Sequence, residues 1–154
     1  MPNVLIRLAR PSDLERLADL CFALWPESPR EEHHGELSAL LENRTTPTLP
    51  LVHFVAETPD HHLIGFLEAG LRSHADCCDT AQPLGYIEGW FVDASYRRQG
   101  VGRQLIAAAE DWARGHGCRE MASDGYIHNL LSQQAHESLG YEPVSRSVLY
   151  RKLL

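Results

Sequence analysis

The stretch Tyr86-Ile87-Glu88-Gly89-Trp90-Phe91-Val92, followed by Asp93-Ala94-Ser95-Tyr96, Arg97-Arg98-Gln99-Gly100-Val101-Gly102 and an amphipathic run to Trp112, decides how the rest of the chain is read. Apolar and aromatic residues over 86–92 predict a strand, and the basic, glycine-containing segment predicts a tight turn. Val101, Leu105, Ala108, Ala109 and Trp112 then recur on one helical face. Glycines let the backbone bend sharply or approach a ligand, and a helix start offers unpaired N–H groups and the positive end of a dipole. The joint can therefore cradle a phosphate. The same pattern also suits an ordinary strand-turn-helix joint whose glycines serve chain reversal.

A chain of 154 residues is long enough to bury a substantial core in a single α/β or α+β domain, which is expected to span 1–154. The start, Met1-Pro2-Asn3-Val4-Leu5-Ile6-Arg7, lacks a basic segment followed by a long apolar one, and no apolar run approaches the length of a membrane span, so a cytoplasmic protein is expected. Four cysteines (Cys21, Cys77, Cys78, Cys118) with no C-x-x-C spacing point to free thiols, with neither a disulfide framework nor a metal site. The formal net charge of −7 argues against nucleic acid and for a cationic small-molecule partner. Thirteen arginines stand against one lysine, Lys152, and Arg97, Arg98 and Arg103 gather around the glycine turn. A local anion site in an acidic body implies two different ligands.

In chain order, Val4 to Ala9 reads as a first strand ended by Pro11, and Ser12 with Glu15 has the spacing of a capping box for a helix running to about Trp25. Glu31 to Asn43 is a second, thinly apolar helix. Strands are predicted over 51–57 and 63–72, an exposed loop over 73–85, a strand over 86–92 and, after the third helix, a fifth strand over 118–124. Asn129 to Leu139 is a short helix stopped by Gly140, and 141–144 and 147–153 read as two final strands. This order gives a mixed sheet with helices on its faces.

With that order in place, Arg97-x-x-Gly100-x-Gly102 after its strand resembles the acetyl-CoA signature of the GCN5-related N-acetyltransferases (GNAT). A second element, Asn129 with Ala135 and Leu139-Gly140-Tyr141, resembles the downstream motif of the same family. The resemblance implies an α+β fold with a central, mostly antiparallel sheet whose strands 4 and 5 splay apart. It implies a coenzyme A pyrophosphate held by the backbone N–H groups of Arg98, Gln99, Gly100, Val101, Gly102 and Arg103, with arginine side chains including Arg97 adding charge. Trp90, Phe91 and Val92 are expected to pair with the pantetheine arm as an added strand, and Asn129 to contact the cofactor.

Over nearly the whole chain the sequence is similar to the short, dimeric bacterial aminoglycoside 6'-N-acetyltransferases, on Leu24-Trp25-Pro26, Ile87-Glu88-Gly89, Gly117 to Asp124, Ser132-Gln133 and His136. The implied substrate is a polyamine sugar, with Trp25 against a ring and Glu88 and Asp124 holding ammonium groups. Ser28, Ala75 and Ser145 stand where relatives are expected to carry His, Tyr and Glu, a departure that bears on the range of drugs. Glu88 would bind the reacting amine and accept its proton, although an edge-strand glutamate facing solvent has the same pattern. Asp124 reads as a substrate ligand or as the Asx residue of a Ser123-Asp124-Gly125 turn. His136 would protonate the departing thiolate or hold a structural hydrogen bond. Trp25 is a sugar platform or a core anchor.

Direct transfer in a ternary complex is expected, because no His pairs with Cys118 at motif spacing. The alternatives are acetylation of another amine, such as a polyamine or a protein N-terminus, and an acyl-CoA-binding module without turnover. The alternating C-terminal strands are candidates for pairing across a homodimer or within the chain.

Overall fold

The computed structural model describes residues 3–154; Met1 and Pro2 of the expected domain lie outside the described residues. Strands β1 (Leu5–Leu8), β2 (Leu51–Glu57), β3 (Leu63–Arg72), β4 (Leu84–Val92) and β5 (Glu120–Ser123) form one sheet in that order. The first four run antiparallel, while β4 and β5 pair in parallel across the crossover that contains a helix. Helices α1 (Leu14–Leu24) and α2 (Arg30–Leu41) cover one face, α3 (Val101–Gly115) covers the other, and α4 (Leu130–Ser138) follows β5. This is the mixed, mostly antiparallel sheet expected above.

Each face has its own core, and the alternation of β3 shows how a strand feeds both. Phe66 packs with Leu17, Leu20 and Val55 beneath α1, while its neighbour Leu67 packs with Leu105, Ile106 and Ala109 of α3. Both side chains are fully buried, as expected for the middle strand of a sheet covered on two sides.

Strand β4 carries one irregularity, opposite Glu68 and Ala69 of β3. Glu68 pairs with Gly89 and Ala69 with Ile87, so Glu88 is an extra residue with no partner on β3, a β-bulge. Before the bulge, Ile87 faces α3; after it, Trp90 and Val92 face α3, three and five residues on. Glu88 and Gly89 therefore both turn toward the α1–α2 face, where Glu88 approaches Gly70 and a Cβ on Gly89 would overlap the Trp25 indole.

Several local expectations are corrected. The capping box of Ser12 and Glu15 does not form. A 3-10 turn at Pro11–Asp13 precedes α1, and the Asp13 carboxylate accepts from the Arg10 N–H at 2.7 Å and from Arg7 at 2.7 and 2.9 Å, while Glu15 pairs with Arg30 and His34. Buried Asp13 is the better acceptor for this job because β1 brings Arg7 beside it. Strand β4 begins at Leu84, and the loop ahead of it is not wholly solvated, since Ala75 and Cys78 dock on Leu84 and Tyr86. Gly85 belongs to the strand, lying where Met121 and Ala113 leave no room for a Cβ.

The two final strands are the largest correction. Residues 139–154 carry no regular structure, and Val144, Val148, Leu149, Tyr150 and Leu153 are exposed. Alternating apolar residues favour an extended chain, but a strand also needs a partner edge, and among the described residues of one copy this segment finds none. Its start is nonetheless anchored, with the Tyr141 hydroxyl donating to Glu110 of α3 at 3.0 Å.

Candidate active site

The parallel ladder between β4 and β5 covers Leu84 to Ile87 and Glu120 to Ser123, then stops. From Glu88 to Val92 the β5-facing edge of β4 has no strand beside it. Such an edge presents backbone donors and acceptors ready for an extended ligand. This is the splay expected of strands 4 and 5, and Trp90, Phe91 and Val92 lie along it.

At the end of that edge the chain turns through Arg97 to Gly102 into α3. Arg98 (φ 59°) and Gly100 (φ 83°) both adopt left-handed backbone conformations, and such kinks curl successive N–H groups into an anion-binding concavity. Arg97 donates its Nε–H to the Val92 carbonyl at 2.7 Å and Gln99 its side-chain amide to the Ser95 carbonyl at 2.9 Å, so the turn is braced against itself. The two glycines have different tasks. Gly100 supplies the positive φ, whereas Gly102 makes room for Trp90, whose indole would lie 2.8 Å from a Cβ there. The first N–H groups of α3 have no partners within the helix, and Arg98 and Arg103 add charge beside them. The donor set fits a pyrophosphate.

The opposite side of the split is built from distant parts of the chain. Glu88 is half-buried, and its carboxylate accepts from both arms of Arg72, Nε to Oε1 at 2.8 Å and Nη2 to Oε2 at 2.6 Å. It is thus a paired carboxylate and not a solvent-facing edge residue. The Arg72 guanidinium lies 3.5 Å from the centroid of the Tyr86 ring, and the Tyr86 hydroxyl donates to Asp124 Oδ2 at 2.9 Å. Asp124, just past β5, is engaged across the sheet. Trp25 ends α1, packs edge-on to Phe66 at 5.9 Å, and lies on Gly89; its carbonyl accepts from His33 Nε2 at 3.0 Å. It also lines an open cavity of about 350 Å³ with Ser28, His33, His53 and Glu68. Trp25 is thus packed as an anchor and also faces open space.

His136 of α4 sits at the split, edge-on to Trp90 with ring centroids 5.4 Å apart. Its Nδ1 is 2.7 Å from the Ser132 carbonyl, which can only accept, so Nδ1 carries the proton. Nε2 then accepts from the Ser123 hydroxyl at 2.9 Å. Asn129 caps α4, its side-chain oxygen accepting from the Ser132 N–H at 3.1 Å, which leaves its amide donors free.

The structure links Glu88 to Asp124 through Arg72 and Tyr86 and sets Trp25 beside Gly89; Arg72, Tyr86 and Ser123 were not singled out as site residues from the sequence. Arg72 ends β3, twelve or more residues from any motif, and a lone arginine before a loop carries no spacing signal. The two buried thiols are not activated: burial pushes Cys21 up to about 12 and raises Cys118 as well. Among the described residues, no group of three or more His, Cys, Asp or Glu could hold a metal ion.

Comparison with known proteins fits this geometry. Residues 13–141 match the Acetyltransferase (GNAT) family. The chain is 36% identical to "Aminoglycoside N(6')-acetyltransferase type 1" of Klebsiella aerogenes over 97% of each chain. It is 38% identical to the protein of that name from Salmonella enteritidis, over 96% of this chain and 97% of the relative. Among solved structures it resembles AAC(6')-Iy in complex with the bisubstrate analog CoA-S-monomethyl-acetylneamine, with a TM-score of 0.86, 37% identity and 99% of each chain covered. The chain belongs to the GNAT family of acetyltransferases.

Proposed function

We propose that this protein transfers the acetyl group of acetyl-CoA to the 6'-amino group of aminoglycosides, by direct attack within a ternary complex. The observation that carries the reading is the ladder that stops at Ile87, because the next residue is the acceptor-side carboxylate Glu88 and the open edge beyond it leads to the glycine turn. Bound acetyl-CoA supplies an acyl group already activated as a thioester. The turn at Arg98 to Arg103 binds its pyrophosphate, the edge of Trp90 to Val92 orients its arm, and Asn129 contacts it from α4.

On the acceptor side, Trp25 supports a sugar ring, and Glu88 and Asp124 hold ammonium groups. Glu88 takes the proton of the reacting amine, directly or through water, since an ammonium has no lone pair with which to attack. A carboxylate has about four lone-pair sites, so Arg72 leaves room for this contact. The departing thiolate takes up a proton from His136, whose Nε2 accepts from the Ser123 hydroxyl in this structure and must first take a proton from solvent before it can act as the acid. The buried thiols, held well above neutral pH, favour direct transfer over an acyl-enzyme.

The reading extends to a single catalytic domain that works in the cytoplasm, where acetyl-CoA is made and thiols stay reduced, and that confers aminoglycoside resistance. The exposed apolar arm over 144–154 supports a homodimer in which it pairs with a second copy. Sedimentation of the chain truncated after Glu142 tests this, a monomer being expected.

The functional test is thiol release from acetyl-CoA on adding kanamycin or tobramycin, set against aminoglycosides that lack a 6'-amine. Release with the first group alone is expected. Release with spermidine or a peptide, and with no aminoglycoside, would overturn the substrate. Binding of acetyl-CoA with no release for any amine would leave a binding module.

A further inference from the structure

Glu88 and Asp124 come from different strands and are separated by 36 positions, yet they are joined through two intervening side chains. Arg72 holds Glu88 in a fork, each guanidinium arm on its own carboxylate oxygen. The central carbon of that guanidinium lies over the Tyr86 ring, 3.5 Å from its centroid, and the Tyr86 hydroxyl reaches Asp124. Tyr86 is buried, so its ring cannot drift, and β-pairing of Gly70 with Tyr86 fixes the strand positions from which both side chains start.

An ion pair that served only to hold β3 to β4 would have no reason to continue into the second carboxylate. Arg72 carries three separate constraints: a bidentate hydrogen bond, a charge pair and a stack. An ordinary lysine could not supply the first or the third. Each site carboxylate thus has part of its lone-pair capacity committed to the protein, and the remainder points in set directions.

We propose that Arg72 and Tyr86 are positioning residues of the acceptor site. The guanidinium orients Glu88, the phenol orients Asp124, and their stacking fixes the distance between the two carboxylates. The site thereby selects polyamines by the spacing of two ammonium groups, preferring rigid diamino sugars to flexible diamines. The inference rests on the acetyl-transfer reading for its substrate class. The links persist across the working pH range. Burial and the bond to Asp124 push the Tyr86 phenol up to about 12, and the bond to Glu88 raises Arg72 further above its ordinary value. Tyr86 therefore remains a donor and Arg72 a cation.

Tyr86→Phe keeps the ring for stacking and deletes the hydrogen bond. The KM for tobramycin is expected to rise roughly tenfold with kcat within about twofold and the KM for acetyl-CoA unchanged, the split expected when acceptor binding alone is lost. Arg72→Lys should raise the same KM and, because it loosens the base Glu88, lower kcat as well, while Tyr86→Trp, which keeps a ring for stacking without the hydroxyl in place, should behave as Tyr86→Phe does. Arg72→Gln leaves the Glu88 carboxylate without its bidentate partner, and the KM for tobramycin should rise while that for acetyl-CoA stays unchanged.

Calorimetric binding of tobramycin to each variant gives a readout independent of turnover. If Tyr86→Phe and Arg72→Lys bind tobramycin as the wild type does, the proposal is overturned. If wild-type protein binds tobramycin but releases no thiol, the acetyl-transfer reading fails while the binding comparison still decides this one.

Discussion

The glycine turn and the acceptor face lie at the two ends of one strand, and they are built in opposite ways. The turn is a run of six consecutive residues, Arg97 to Gly102, whose shape is set by its own backbone: positive φ at Arg98 and Gly100, Arg97 on the Val92 carbonyl, Gln99 on Ser95. The proposed acceptor face draws Trp25, Arg72, Tyr86, Glu88 and Asp124 from four parts of the chain and holds them by contacts across the sheet. A site made locally transfers with its sequence motif. A site made by pairing depends on the sheet that brings its parts together.

Three substitutions probe this contrast. Glu88→Gln acts at the chemical step and should fold normally, because the amide keeps the shape and one acceptor for Arg72. Its kcat should fall by about 10² to 10³, as for loss of a general base. Wild-type turnover would remove Glu88 from proton transfer and leave the acceptor face a binding surface. Gly100→Val acts on the turn and places a β-branched residue at φ 83°. The strain costs about 1–2 kcal/mol, seen as a lower Tm, and the KM for acetyl-CoA should rise while that for the acceptor stays put. An equal rise in both would show that the two ends are coupled along β4.

His136→Phe tests the region between them. It removes a ring nitrogen from Ser123 but leaves the hydroxyl, so kcat should drop on the order of tenfold, less than the full effect of a general acid. An unchanged kcat and pH profile would reduce His136 to a brace between α4, Trp90 and the end of β5.

The same contrast explains which features were legible before the structure. The strand-turn-helix joint around Gly100 and the helix opened by Asn129 could be read directly, since capping and turn chemistry act within a few residues. Glu88 could be suspected because a carboxylate among apolar strand residues demands a partner. The partner itself could not be named, since Arg72 reaches it across a register that a bulge has shifted. Ser12 and Glu15 had good capping spacing, yet Asp13 won the role through Arg7, a residue brought near by tertiary packing. The segments over 141–144 and 147–153 have the pattern of strands, but pattern expresses a preference that only a neighbouring edge can satisfy.

The extra residue at Glu88 makes β4 behave like a message read in two frames. Up to Ile87 the odd positions belong to the α3 core, and from Trp90 onward the even ones do. Substitutions upstream of the bulge are judged by what happens around the acceptor, and those downstream by the seat of the cofactor. One strand can therefore diversify at its first half while its second half stays under separate constraint. Losing a single residue anywhere along it would merge the two frames and send one set of side chains to the wrong side of the sheet. Drift in acceptor preference should thus proceed by substitution in β4, with its length held fixed.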